Sequence, residues 1–121
     1  HWDVSGIVGI IGDARGVVVL RLHQALLDAL LVHSGVNTAD EDERREMLNG
    51  MMGEMVNVVG GNAIGEMTGY NLDISVPMIV QGQNHQIAWP RIAPVLCVPL
   101  RTAAGPCELA ISFKGRDQEG T

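Results

Sequence analysis

Aromatic side chains are almost missing from this 121-residue sequence: Phe, Trp and Tyr make up 3% of it. A core must therefore be built from Val, Ile, Leu, Met and Ala, and no platform for stacking nucleobases can be assembled. Basic residues are scarce as well, 8 against 14 acidic, for a net charge of -6. That balance disfavours nucleic acid and anionic membranes, both of which reward clustered Lys and Arg. Only Cys97 and Cys107 could offer thiols, and they lack Cys-x-x-Cys spacing, which excludes a zinc knuckle or a redox pair. They read as buried, reduced thiols of a cytoplasmic protein. No run reaches the roughly 18 apolar residues that span a bilayer, and no basic segment followed by an apolar core marks a signal peptide. Common catalytic signatures are also missing: there is no phosphate-binding Gly-x-x-x-x-Gly-Lys loop, no Gly-x-Ser-x-Gly elbow and no His-Glu-x-x-His helix. Gly6, Gly9 and Gly12 lie within a strand pattern and make a poor dinucleotide fingerprint. His23, His33 and His85 have no partner at metal-ligand spacing, so each reads as structural or surface histidine and no metal site is expected in the chain.

Apolar residues account for 46% of the chain, enough for one packed core in a single domain spanning 1–121. The sequence opens at His1-Trp2-Asp3, almost directly on a strand, and residues upstream are expected to be missing from it. Val4 to Ile11 and Val17 to Leu22 are β-rich runs joined by Gly12-Asp13-Ala14-Arg15-Gly16, which predicts a hairpin. From His23 the apolar period becomes helical, through Leu26, Leu27, Leu30 and Leu31, until Ser34-Gly35 ends it. Asp40 to Glu43 form an acidic run suited to a helix N-terminus, and a long helix is expected from there to about Met67. Met47, Leu48, Met51, Met52, Met55, Val58 and Val59 form its apolar arc. Beyond Gly69 the period falls to two: Leu72, Ile74, Val76 and Met78 alternate with polar or small neighbours. Further strands are expected at Gln86 to Trp89, Val95 to Leu100 and Cys107 to Phe113, the last two joined by a turn at Ala103-Ala104-Gly105-Pro106. The order β-β-α-α followed by β segments rules out a doubly wound parallel sheet and favours an antiparallel sheet with helices on one face.

The polar side of the long helix carries the candidate chemistry. Gly50, Glu54, Asn57 and Gly61 fall within about 60 degrees of one another on a helical wheel, opposite the methionine arc. A carboxylate and a carboxamide at i, i+3 are surface neighbours. Glycine inside a helix costs roughly 1 kcal/mol against Ala, yet this helix carries Gly50, Gly53, Gly60, Gly61 and Gly65. Gly50 and Gly61 could clear the helix face for a partner's surface; equally, Gly60-Gly61 could end the helix and leave Glu54 and Asn57 as ordinary solvated residues. A carboxamide can hold a water in line with a phosphoryl group without titrating, and a Glu can pair with a partner's Lys. Neither makes a phosphatase alone, so such chemistry needs a partner that brings the acyl phosphate, the metal and the Lys. The methionines read as core or dimer contacts.

The segment Gly53-Glu54-Met55-Val56-Asn57-Val58-Val59-Gly60-Gly61-Asn62-Ala63 resembles the Glu-x-x-Asn helix of the CheC, CheX and FliY phosphatases. Ile74-Ser75-Val76-Pro77-Met78-Ile79-Val80-Gln81-Gly82 resembles the Ser-x-Pro strand that follows it in that family. The opening hairpin and short helix keep the same order, and the single Glu-x-x-Asn site favours the CheX type. The resemblance implies an α+β fold, a two-layer sandwich of a mainly antiparallel sheet with two long helices packed on it. The family's helix ahead of the first strand is expected to be missing here. It further implies a cytoplasmic, homodimeric phosphatase acting on the aspartyl phosphate of a CheY-like response regulator. Asn57 and Glu54 would be catalytic, Gly50, Gly53 and Gly61 would meet the partner, and magnesium would belong to the partner's receiver domain, with no cofactor held by this chain. Two other readings stay open. Gly50 stands where the family usually carries Asp or Ser, which suits a non-catalytic module that binds a regulator, akin to the middle domain of the flagellar switch protein FliM. The Met-rich helix suits a small-molecule-binding or purely structural dimeric domain.

Overall fold

A computed structural model describes residues 2–35, 40–82 and 94–115 of the chain. The first two β-branched runs pair antiparallel as β1 (Val4–Gly12) and β2 (Ala14–Leu22), with Val4 opposite Leu22 and Ile10 opposite Gly16. The residues beyond that last pair stay extended instead of forming a free five-residue turn, because each strand finds a second neighbour there. Gly12 pairs with Leu72, and Ala14 pairs with Gly115. The reversal is possible because Gly12 adopts φ +114°, where a side chain would be strained and its Cβ would lie 2.3 Å from the Asn71 carbonyl oxygen.

Helix α1 (Gln24–His33) buries Leu26, Leu27 and Leu31. His23 supplies no side-chain cap, and the carboxylate of Asp3, just ahead of β1, takes that role by accepting from the Gln24 N–H at 2.9 Å. Helix α2 (Glu41–Gly65) is capped by Asp40, whose carboxylate accepts from the Glu43 N–H at 2.7 Å. Glu41, Asp42 and Glu43 in its first turn complement the helix dipole. Arg44 on α2 reaches Asp28 on α1 at 2.6 Å and ties the helices together.

The remaining strands are β3 (Leu72–Ile74), β4 (Met78–Gln81), β5 (Leu96–Thr102) and β6 (Gly105–Gly115). Together they form one six-stranded sheet in the order β3-β1-β2-β6-β5, with β4 also on β1, and every pair is antiparallel. The two helices pack on this sheet, giving the α+β sandwich expected from the sequence. The candidate strand at Gln86 to Trp89, and His85 beside it, lie outside the described residues.

Packing of α2 on β1 centres the core. Gly6 faces the helix, and a Cβ there would stand 3.1 Å from the Met52 methyl and 3.3 Å from Val56. Gly60 faces back, and its Cβ would stand 2.9 Å from the Val8 methyl. The row against the sheet is therefore Leu48, Met52, Val56 and Gly60, all buried. This corrects the expected apolar arc: Val56 is fully buried, while Val58 is 57% exposed. A hydrophobicity pattern gives glycine no weight, yet here glycine selects the buried side by permitting contact.

Two other expectations change. The alternation of Leu72, Ile74, Val76 and Met78 on one face is broken between β3 and β4. Leu72 packs toward the core and Ile74 toward Gly60 on α2, but Ile79 beyond the break also packs toward the core, and Val76 and Met78 are 88% and 60% exposed. An extra residue in the strand inverts the side-chain phase. Cys107 is buried as expected, but Cys97 is exposed because it sits on the edge strand β5. Burial pushes the Cys107 thiol up from its ordinary pKa.

Two measurements follow. Gly60→Val should destabilise the fold by about 2 kcal/mol in urea unfolding, from overpacking against Val8. Gly61→Ala should be neutral or stabilise by up to roughly 1 kcal/mol, since it gains helix propensity in open space. Near pH 8 a thiol reagent should label Cys97 in the folded protein and Cys107 only after unfolding; equal rates would contradict the burial difference.

Candidate functional site

The rotation of α2 set by Gly6 and Gly60 decides where its polar residues stand. Glu54 lies about opposite the buried row and is exposed, whereas Asn57 sits on the shoulder of the helix and is half-buried. The shoulder carrying Asn57 is the one nearer β3 and β4, because Gly60 abuts Ile74 at 3.7 Å and Gly53 abuts Pro77 at 3.6 Å from their would-be Cβ positions. Among the described residues, neither Glu54 nor Asn57 has a hydrogen-bond or ion-pair partner for its side chain. Both are thus free to engage another molecule.

The glycines divide by role. Gly50 and Gly61 have nothing within 4 Å of a would-be Cβ, so the helix surface beside Glu54 and Asn57 is bare. Gly53 instead receives the Pro77 ring, and Gly60 belongs to the core. The helix continues to Gly65, so Gly60-Gly61 does not terminate it. On the far side of Glu54, an apolar groove is lined by Leu20, Met55, Val58 and Val59.

The site rests on rigid supports. The Ser75 hydroxyl accepts from the Gly9 N–H at 2.8 Å, and the Ser75 N–H donates to the Gly9 carbonyl at 2.9 Å. The Gln81 carboxamide on β4 donates to Asn49, two turns before Asn57 on α2. Ser75 and Pro77, the two named residues of the Ser-x-Pro motif, buttress the edge strand beneath α2, a role that depends on contacts with β1 and Gly53. The signal was a serine and a proline interrupting a strand pattern, the usual mark of a bulge at a sheet edge. Among the described residues, no three metal-ligating side chains cluster, and no helix is long and apolar enough to cross a membrane.

Residues 4–101 match the family model for the chemotaxis phosphatase CheX. The chain belongs to this family. Solved structures share its fold. The chemotactic CheC-like protein from Shewanella oneidensis MR-1 is 26% identical, with a TM-score of 0.73 over 93% of this chain and 74% of that one. The chemotaxis protein CheX from Vibrio vulnificus is 24% identical, with a TM-score of 0.75 over 93% and 76% of the two chains. The CheX-CheY-BeF3-Mg2+ complex from Borrelia burgdorferi gives 24% identity and a TM-score of 0.79 over 93% and 76%. No curated protein matches the sequence.

Because the two polar side chains hold nothing inside this CheX-family fold, their removal should not weaken it. Asn57→Ala and Glu54→Gln should each change unfolding free energy by no more than about 0.5 kcal/mol. A larger loss would reveal a structural role.

Proposed function

We propose that Glu54 and Asn57 are the residues with which this CheX-family phosphatase accelerates hydrolysis of the aspartyl phosphate of a CheY-like response regulator. The observation that carries the assignment is a carboxamide and a carboxylate side by side on a rigid helix, without internal partners and beside bare backbone at Gly50 and Gly61. A receiver surface can approach that backbone closely enough for both side chains to enter its phosphorylation site.

Asn57 then accepts from and donates to a water placed in line with the phosphorus. The water oxygen bonds to phosphorus as the bond to the aspartyl oxygen breaks, releasing phosphate and restoring the regulator's carboxylate. Such a step relies on positioning and charge stabilisation, with little covalent work for the enzyme. Half-burial of Asn57 at the helix shoulder limits its rotamers and keeps the carboxamide aimed. Exposed Glu54 forms a charge-assisted contact with the receiver's Lys and holds the two proteins in register. Magnesium is assigned to the receiver, in keeping with the Mg2+ named in the CheX-CheY-BeF3 complex from Borrelia burgdorferi. The reading places the protein in the cytoplasm, where such regulators act, and takes it as a homodimer. Support for the dimer is the edge strand β5, whose Leu96 and Leu100 are exposed.

Release of phosphate from a phosphorylated regulator tests the assignment. Asn57→Ala should lower the saturated rate roughly 100-fold, the scale of a lost positioning contact. Glu54→Ala should mainly raise the half-saturating concentration. Wild-type turnover by Asn57→Ala would remove the residue from the mechanism. A wild-type chain that binds the regulator without speeding its decay would instead be the non-catalytic module.

A further inference from the structure

Ile74 pairs with Ile10 and Met78 with Ile7, so Ser75, Val76 and Pro77 lie opposite only Val8 and Gly9. This is a β-bulge of one residue on the edge strand. Its ends are both pinned. Ser75 is bonded twice to Gly9, at 2.8 and 2.9 Å. On either side of the bulge, Ile74 lies under Gly60 and Pro77 lies under Gly53, each within 3.7 Å of the would-be Cβ. Gly53 and Gly60 are two helical turns apart, and Asn57 lies between them on the same flank of α2. Val76, between those two contacts, therefore lies along the stretch of α2 that carries Asn57.

Val76 is also 88% exposed, more than any other large apolar side chain among the described residues. The bulge causes that exposure: in an unbroken strand the residue would keep the core phase of Leu72 and Ile74. A device that turns an apolar residue outward beside a polar pair fits a recognition surface, where an apolar anchor packed against the partner helps exclude water from the contacts beside it. From this juxtaposition we infer that Val76 is an anchor for the phosphorylated receiver domain, binding an apolar patch next to its phosphorylation site. The occupant follows from continuity with the Glu54 and Asn57 face, and the inference rests on the function proposed above. Val76 takes no part in the chemical step. It acts on affinity alone, so its effect separates from that of Asn57.

The test uses the full chain and a CheY-like regulator phosphorylated with acetyl phosphate, with phosphate release followed across regulator concentration. Val76→Ser should raise KM about tenfold, equivalent to roughly 1.4 kcal/mol, with kcat unchanged. Val76→Leu should keep KM near wild type, and Val32→Ser, the same change at an exposed position on α1, should leave it unaltered. Thermal unfolding and the sedimentation mass should be the same for all of them. A wild-type KM in Val76→Ser overturns the inference. So does a rise in KM that accompanies a change in mass, because a second copy of the chain would then be what covers Val76. If Asn57→Ala slows turnover while Val76→Ser does nothing, only the anchor is lost. If the wild-type chain does not accelerate release, the site assignment and the anchor fall together.

Discussion

Close approach between α2 and β1 governs this structure. Gly6 and Gly60 each leave a gap that the opposing element fills, with Met52 and Val56 against one and Val8 against the other. Tight packing of this kind sets helix height and helix rotation together, because interiors tolerate neither voids nor overlap. Once α2 is seated, every other residue on it has a fixed direction. Glu54 must point away from the sheet and Asn57 must ride on its shoulder, with Gly53 and the Pro77 ring below. The direction of the face carrying Glu54 and Asn57 is thus a consequence of core packing several residues away.

The same seating explains how a helix with so many glycines persists. Glycine weakens an isolated helix by roughly 1 kcal/mol per residue. In α2 the Asp40 cap, an acidic first turn and the buried row of Leu48, Met52 and Val56 supply compensation from three separate sources. Gly53 and Gly60 serve packing, and Gly50, Gly61 and Gly65 leave the surface bare. The outcome is a candidate site held on a regular element instead of a loop, which fixes the direction of its side chains more closely.

What can be read in the residues differs from element to element. The hairpin, both helices and the last two strands follow from period and capping signals. Glu54, Asn57, Gly50 and Gly61 share a surface for the same reason, since angular spacing on a helix is a local property. The apolar arc was harder to place: methionine spacing pointed to one flank, whereas the sheet contacts the flank bearing Val56 and Gly60. The bulge at Ser75 to Pro77 was invisible to alternation, because the phase slip exists only relative to β1. Exposure of Cys97 likewise depends on its strand being at the edge.

By itself, then, the amino-acid sequence determined the α+β class, the order of elements, the family-type motif and the pairing of a carboxylate with a carboxamide on one helix face. These depend on interactions within a few residues or on composition. Tertiary structure decided which side of α2 is buried, that Gly53 meets Pro77 while Gly50 and Gly61 stay open, and that Val76 turns outward along the stretch of α2 that carries Asn57. Each of those is a relation between segments remote in the chain, set by steric fit and strand register, and neither quantity is defined until the sheet and helix are brought together.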